Sequence, residues 1–167
     1  MSREHHYAVT VRWTGEPGTT HYRGYTRDHD VEAAGKPTLA ASADPAFLGA
    51  AGRWNPEDLL VATLSQCHLL TYLSVCARAG VVVTGYVDRA SGVMREDGAH
   101  GGRFAEVVLR PEVTVADASM AETATALHHD AHEQCFIANS VNFPVRHVRW
   151  CGAAESCTRL YMTPTRW

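Results

Sequence analysis

Lysine is almost missing from this chain, with Lys36 the only one. The cations are therefore nearly all arginines, and these are scattered rather than gathered in a run. With a formal net charge of −3 the chain carries no footprint for a phosphate backbone, so nucleic acid is not an expected partner. Repeats, low-complexity segments and a linker are also missing. The 167 residues read as a single domain, 1–167, with a core of about 7–148 and an extension over 152–167. No apolar signal-type stretch opens the chain at Met1-Ser2-Arg3-Glu4-His5-His6, so the expected compartment is the cytoplasm. None of the five cysteines lies in a Cys-x-x-Cys spacing. In a reducing compartment, a disulfide among them is expected to be transient and catalytic rather than structural.

The elements that are present alternate between two periods. Tyr7 to Trp13 alternates apolar and polar residues and predicts a strand, with Tyr7, Val9, Val11 and Trp13 facing inward. Gly15-Glu16-Pro17-Gly18 should turn the chain into a second strand over about Thr20 to Thr26, with a third near Thr38 to Ser42. A long helix follows: Asn55 can cap it, Pro56 suits its first turn, Glu57 and Asp58 suit its positive end, and Gly80 ends it. Leu59 to Ala77 carries no formal charge, yet Thr63, Ser65, Gln66, His68 and Thr71 interrupt it. A core helix running through the centre of the molecule is therefore expected, not a membrane span. Val81 to Glu96 and Phe104 to Val115 predict two strands. Ser119-Met120-Ala121-Glu122 reads as a capping box opening a helix to about Cys135, and Val145 to Trp150 as a last strand. That order is α+β, with antiparallel sheets segregated around a long central helix.

The chemistry-bearing residues lie on the two helices. Cys67 sits within the apolar helix and Cys135 closes the second. Two helical thiols can work as a peroxidatic and resolving pair if the fold brings them together, since one is oxidised to a sulfenic acid and the other converts it to a disulfide. The attacking thiol must ionise at neutral pH, which a neighbouring cation favours; Arg23, Arg27 and Arg53 are candidates. Glu57 could hold such an arginine, although it lies ten residues before Cys67, roughly 15 Å along the helix axis. Trp54, Phe136 and Phe143 could line an apolar pocket for an organic peroxide, against which stands ordinary core packing. His128, His132 and Cys135 share one helical face, a stripe that zinc could use, but no acidic base is placed as in His-Glu-x-x-His. Solvated positions on the helix surface are the expectation for His128 and His129. Cys76 reads as a small buried hydrophobe, and Cys151 and Cys157 receive no role.

Asn55-Pro56-Glu57-Asp58-Leu59-Leu60 with Cys67, and later Ala131-His132-Glu133-Gln134-Cys135 with Asn139, resemble the OsmC/Ohr family of osmotically induced and organic hydroperoxide resistance proteins. Tyr25-Thr26-Arg27-Asp28-His29 is similar to a segment of an OsmC-like branch. The resemblance implies the OsmC-like fold and an intertwined homodimer. It implies a thiol-dependent peroxidase in which Cys67 is peroxidatic, Cys135 resolves it, and Glu57 positions an arginine, here Arg27. It implies no bound cofactor; an external dithiol, possibly of lipoyl type, would be the reductant. The chain departs from the family pattern in having Phe136, not proline, after Cys135. A redox sensor or small-ligand binder with little turnover, and a His/Cys metal-binding domain, are the alternatives.

Overall fold

The computed structural model describes residues 3–16, 18–98, 101–148 and 150–151; the expected extension over 152–167, with Cys157, lies outside them. Its contacts fall into two compact units, 1–60 and 61–167.

The first unit is a three-stranded antiparallel sheet in the order β1 (Thr10–Trp13), β2 (His29–Glu32), β3 (Leu39–Ala41). Two expectations fail here. Residues 20–26 form turns rather than a strand, and β2 lies later, paired with Val11 opposite Val31. The apolar face of the first strand region is also not inward: Tyr7 is 91% exposed, and Val9 and Val11 are exposed with it. Trp13 is tied down at its ring nitrogen, which donates to the Thr26 carbonyl at 2.7 Å. A 3-10 turn at Pro45–Phe47 is capped by Asp44, whose carboxylate accepts from Ala46 N at 2.7 Å. A parallel bridge from Ala41 to Trp54 then delivers the chain to α1 (Pro56–Arg78). The expected cap is in place. Asn55 Oδ1 accepts from Asp58 N at 2.7 Å, and its amide donates to the Asp58 carboxylate at 2.9 Å.

The second unit holds most of α1, six further strands and α2 (Ala121–Glu133). The chain from 81 to 96 is not one strand but two, β4 (Val83–Asp88) and β5 (Ser91–Glu96), and β6 (Gly102–Leu109) is likewise separated from β7 (Pro111–Val115). Asp88 secures both corners: one oxygen accepts from Arg110 N and the other from Ser65 Oγ, each at 2.6 Å. The strands form two sheets, β4-β7-β9 and β5-β6-β8. Pairing is antiparallel in β4·β7 and β5·β6, but the short strands β8 (Val145–His147) and β9 (Trp150–Cys151) add to them in parallel. The sheets are therefore mixed rather than purely antiparallel.

The apolarity of α1 serves one stripe, not a whole circumference. Leu64, His68, Tyr72, Val75 and Cys76 are buried at helical spacing, whereas Leu70 and Leu73 are exposed. The helix is long and apolar enough to cross a membrane by length and composition. Its buried stripe joins a core with Val81, Val113, Ala124 and Ala131, and the Tyr72 hydroxyl donates to the Ala124 carbonyl of α2 at 2.9 Å. Gly80, at φ 75°, ends the helix in a Schellman arrangement, with Val81 N on Cys76 O and Gly80 N on Ala77 O. The start of α2 is built differently from the expected capping box. Asp117, not Ser119, is the cap, accepting from Ser119 N at 2.8 Å and opening a 3-10 turn at Ala118–Met120 that leads into the helix.

Candidate active site

Cys67 projects from the fourth turn of α1, and Cys135 follows the last turn of α2 by two residues. Local hydrogen bonds fix both backbones. Thr71 Oγ1 donates to the Cys67 carbonyl at 2.9 Å, Cys135 N donates to His132 O at 3.3 Å, and Asn139 N donates to Cys135 O at 3.0 Å. Arg78 holds the two helix ends together by donating to the Gln134 side-chain oxygen at 3.1 Å. The result brings the thiols into contact: Cys135 Sγ donates to Cys67 Sγ at 2.9 Å. Both are free cysteines, Cys67 half-buried and Cys135 only 1% exposed. Burial, and then the hydrogen bond to Cys67, push the Cys135 thiol up to about 11. At neutral pH Cys135 is therefore a protonated donor, and Cys67 is the more accessible sulfur and the acceptor.

A column of aromatic rings stands in the same unit. His68 and His128 are fully buried, their rings parallel to within 6° and 5.3 Å apart, with His68 Nε2 and His128 Nδ1 at 3.0 Å. Tyr72 stacks on His128 at 4.0 Å. His147, on β8, lies 5.7 Å from His68 and 5.4 Å from His132. His128 is thus not a solvated surface residue. His129 is exposed, and reaches Glu133 at 3.3 Å. Burial first, then His132, push His68 down to about 4; burial and His129 likewise lower His132, opposed by Glu133. A nitrogen–nitrogen hydrogen bond needs one donor and one lone pair, so His68 and His128 cannot both be cationic while it persists. His68 Nδ1 is buried without a partner. His68, Tyr72 and His147 were missed as site neighbours. The spacing of His68 and Tyr72 along one face of an apolar helix was the available signal. Among the described residues no group of three or more His, Cys, Asp or Glu could hold a metal ion, so His128, His132 and Cys135 do not converge as a ligand set.

In the first unit, the Arg27 guanidinium lies 4.0 Å over the Tyr25 ring and donates to the Tyr25 carbonyl at 2.6 Å and to the Tyr22 carbonyl. It makes no ion pair with Glu57, whose Oε2 is buried without a hydrogen-bond partner. Arg53 pairs with Asp28 at 3.2 Å. Trp54 is exposed. In the second unit Phe136 is 81% exposed beside Cys135, whereas Phe143 stacks on Phe104 at 5.4 Å and lines a cavity that Phe136 does not enter.

A family model described as OsmC-like protein matches residues 49–148. The fold is similar to that of an OsmC-like protein of unknown function from Vibrio cholerae, with a TM-score of 0.77 and 32% identity over 86% of this chain and 98% of the other. It is also similar to an organic hydroperoxide resistance protein OsmC from Legionella pneumophila (TM-score 0.65, 20% identity, 86% and 97% covered). A third similar structure is an organic hydroperoxide resistance protein from Elizabethkingia anophelis (TM-score 0.63, 20% identity, 87% and 96% covered). No curated protein matches the sequence.

Proposed function

The chain belongs to the OsmC-like protein family, and from that premise we propose that it is a thiol-dependent peroxidase reducing organic hydroperoxides to alcohols. The observation that carries the proposal is the 2.9 Å contact of Cys135 with Cys67, between residues 68 positions apart. The Cys67 thiolate attacks the terminal oxygen of the hydroperoxide and the O–O bond breaks; a sulfenic acid remains on Cys67, and the departing alkoxide takes up a proton from water, equal to the one the thiol released, and leaves as the alcohol. The Cys135 sulfur then attacks that sulfenic sulfur, water leaves, and a Cys67–Cys135 disulfide forms. An external dithiol, with no bound cofactor, restores both thiols by exchange and is itself oxidised to a disulfide.

The roles of the two cysteines follow from their environments. A buried, protonated thiol is a poor first nucleophile but needs no approach path when its partner sulfur is already in contact. Exposed Phe136 next to Cys135 supplies an apolar surface suited to an organic rather than inorganic peroxide, and exposed Trp54 is assigned to the same task. Glu57, with its buried unpartnered oxygen, is assigned the positioning of an arginine, and Arg27 is that arginine by family resemblance. The exposed apolar run Tyr7, Val9 and Val11 supports a homodimer, in which a second copy would cover it. Defence against oxidative stress in the cytoplasm, with neither membrane nor nucleic acid as partner, completes the reading.

The test is a thiol titration of the reduced protein with cumene hydroperoxide and with hydrogen peroxide, followed by mass mapping. The expected result is loss of two thiols per chain, a Cys67–Cys135 link, and faster reaction with the organic peroxide. Cys67→Ser should abolish turnover. Unreactive thiols, or a link omitting Cys67, would overturn the proposal. A reactive Cys67 without catalytic turnover would favour a redox sensor or small-ligand binder instead.

A further inference from the structure

The hairpin of β5 and β6 places Arg95 directly opposite Arg103. Two like charges facing each other across a ladder are destabilising unless something lies between them. Four other arginines pair with carboxylates: Arg12 with Glu32, Arg53 with Asp28, Arg89 with Glu112 and Arg146 with Glu106. Among the described residues, no carboxylate pairs with Arg95 or Arg103. The neighbouring acids are otherwise disposed. Glu96 follows Arg95 and so faces the opposite side of the sheet. Glu106 is taken by Arg146 at 3.3 Å.

Both residues line a cavity of about 360 Å3. Its lining is mixed: Phe143 stacks on Phe104 of β6 at 5.4 Å, and the Pro144 carbonyl accepts from Val107 N at 3.0 Å. Asn142 adds an amide at the rim. The volume lies at the small end of the ~300–1,000 Å3 range of ligand pockets. That size suits a ligand of one ring or a short chain. Guanidinium forks match the two oxygens of a carboxylate, and a phenyl ring matches a flat apolar body.

We propose that this cavity binds a small organic carboxylate with an aromatic or short aliphatic body, its head on Arg95 and Arg103 and its body against Phe143. Neither Cys67 nor Cys135 lines the cavity, so the site stands independently of the thiol chemistry.

The test uses 3-phenylpropionate as probe, by isothermal titration of the full-length reduced protein at low salt. Its neutral isostere 3-phenylpropanamide and inorganic phosphate are the comparators. The expected result is saturable binding of the carboxylate that is at least tenfold tighter than that of the amide or of phosphate. Binding should weaken tenfold or more in R95Q/R103Q, and partly return in R95K/R103K. The Phe143→Leu variant, with both arginines intact, should also weaken it. No saturable binding at millimolar probe, equal binding of acid and amide, or binding untouched by both R95Q/R103Q and Phe143→Leu would overturn the proposal.

Discussion

Burial of His68 predicts a specific acid sensitivity. The imidazole titrates at about 4 in the folded protein against an ordinary value of 6.5. Above pH 6.5 both folded and unfolded forms are neutral and the group has no effect. As pH falls below 6.5 the unfolded chain takes up a proton that the folded chain refuses, so stability is lost down to about pH 4 and then levels off. Linkage between these two values gives a loss of roughly 1–2 kcal/mol at pH 5.5 and roughly 2–3 kcal/mol at pH 4.5, relative to pH 7.5. His132, also lowered, acts in the same direction. The assay is urea unfolding at these three pH values, at fixed protein concentration, for the native chain and for His68→Gln. Glutamine keeps a polar side chain beside His128 but cannot titrate. The variant should be less stable at pH 7.5, and its pH dependence should be shallower by the amounts given. Parallel curves for the two proteins would refute a buried, neutral His68.

Other outcomes follow from single contacts. Tyr72→Phe should cost about 1–2 kcal/mol in urea unfolding, because it leaves the buried Ala124 carbonyl without the hydroxyl that donates to it at 2.9 Å. Gly92→Ala should cost about 1–3 kcal/mol, since a Cβ there would stand 2.7 Å from Phe104 Cε1 and 2.9 Å from Val61 Cγ2. In Cys135→Ser, mass spectrometry should find one sulfenic acid per chain after one equivalent of cumene hydroperoxide, with steady-state turnover stalled; undiminished turnover would remove Cys135 from the cycle.

The elements that could be read from the sequence are those whose signals are local. Asn55, Pro56 and Gly80 bound α1 because a cap, a first-turn proline and a left-handed terminus each act within a few residues. Alternation around Tyr7 to Trp13 gave a strand period but not its direction, since a period of two leaves open which face meets solvent. β2, written His-Asp-Val-Glu, has little intrinsic preference for a strand and is held by pairing on both sides. The approach of Cys67 to Cys135, and the burial of His128 against His68 and Tyr72, join residues at least 56 positions apart: His128 follows Tyr72 by 128 − 72 = 56. No spacing rule reaches that far. Histidine on a helix reads as surface until a second helix supplies its partner. Arg95 and Arg103 were hidden for a related reason, since hairpin register decides whether two arginines face each other.

The contact between the two sulfurs also bears on the unfolded chain. A bond between positions 68 residues apart would close a loop of that length in the denatured ensemble. By the chain-entropy relation such a loop removes about 4 kcal/mol of disorder from the unfolded state. The oxidised protein would therefore resist urea and proteolysis more than the reduced one. Redox state would then be legible as durability, with the molecule hardest to degrade while it waits for its reductant.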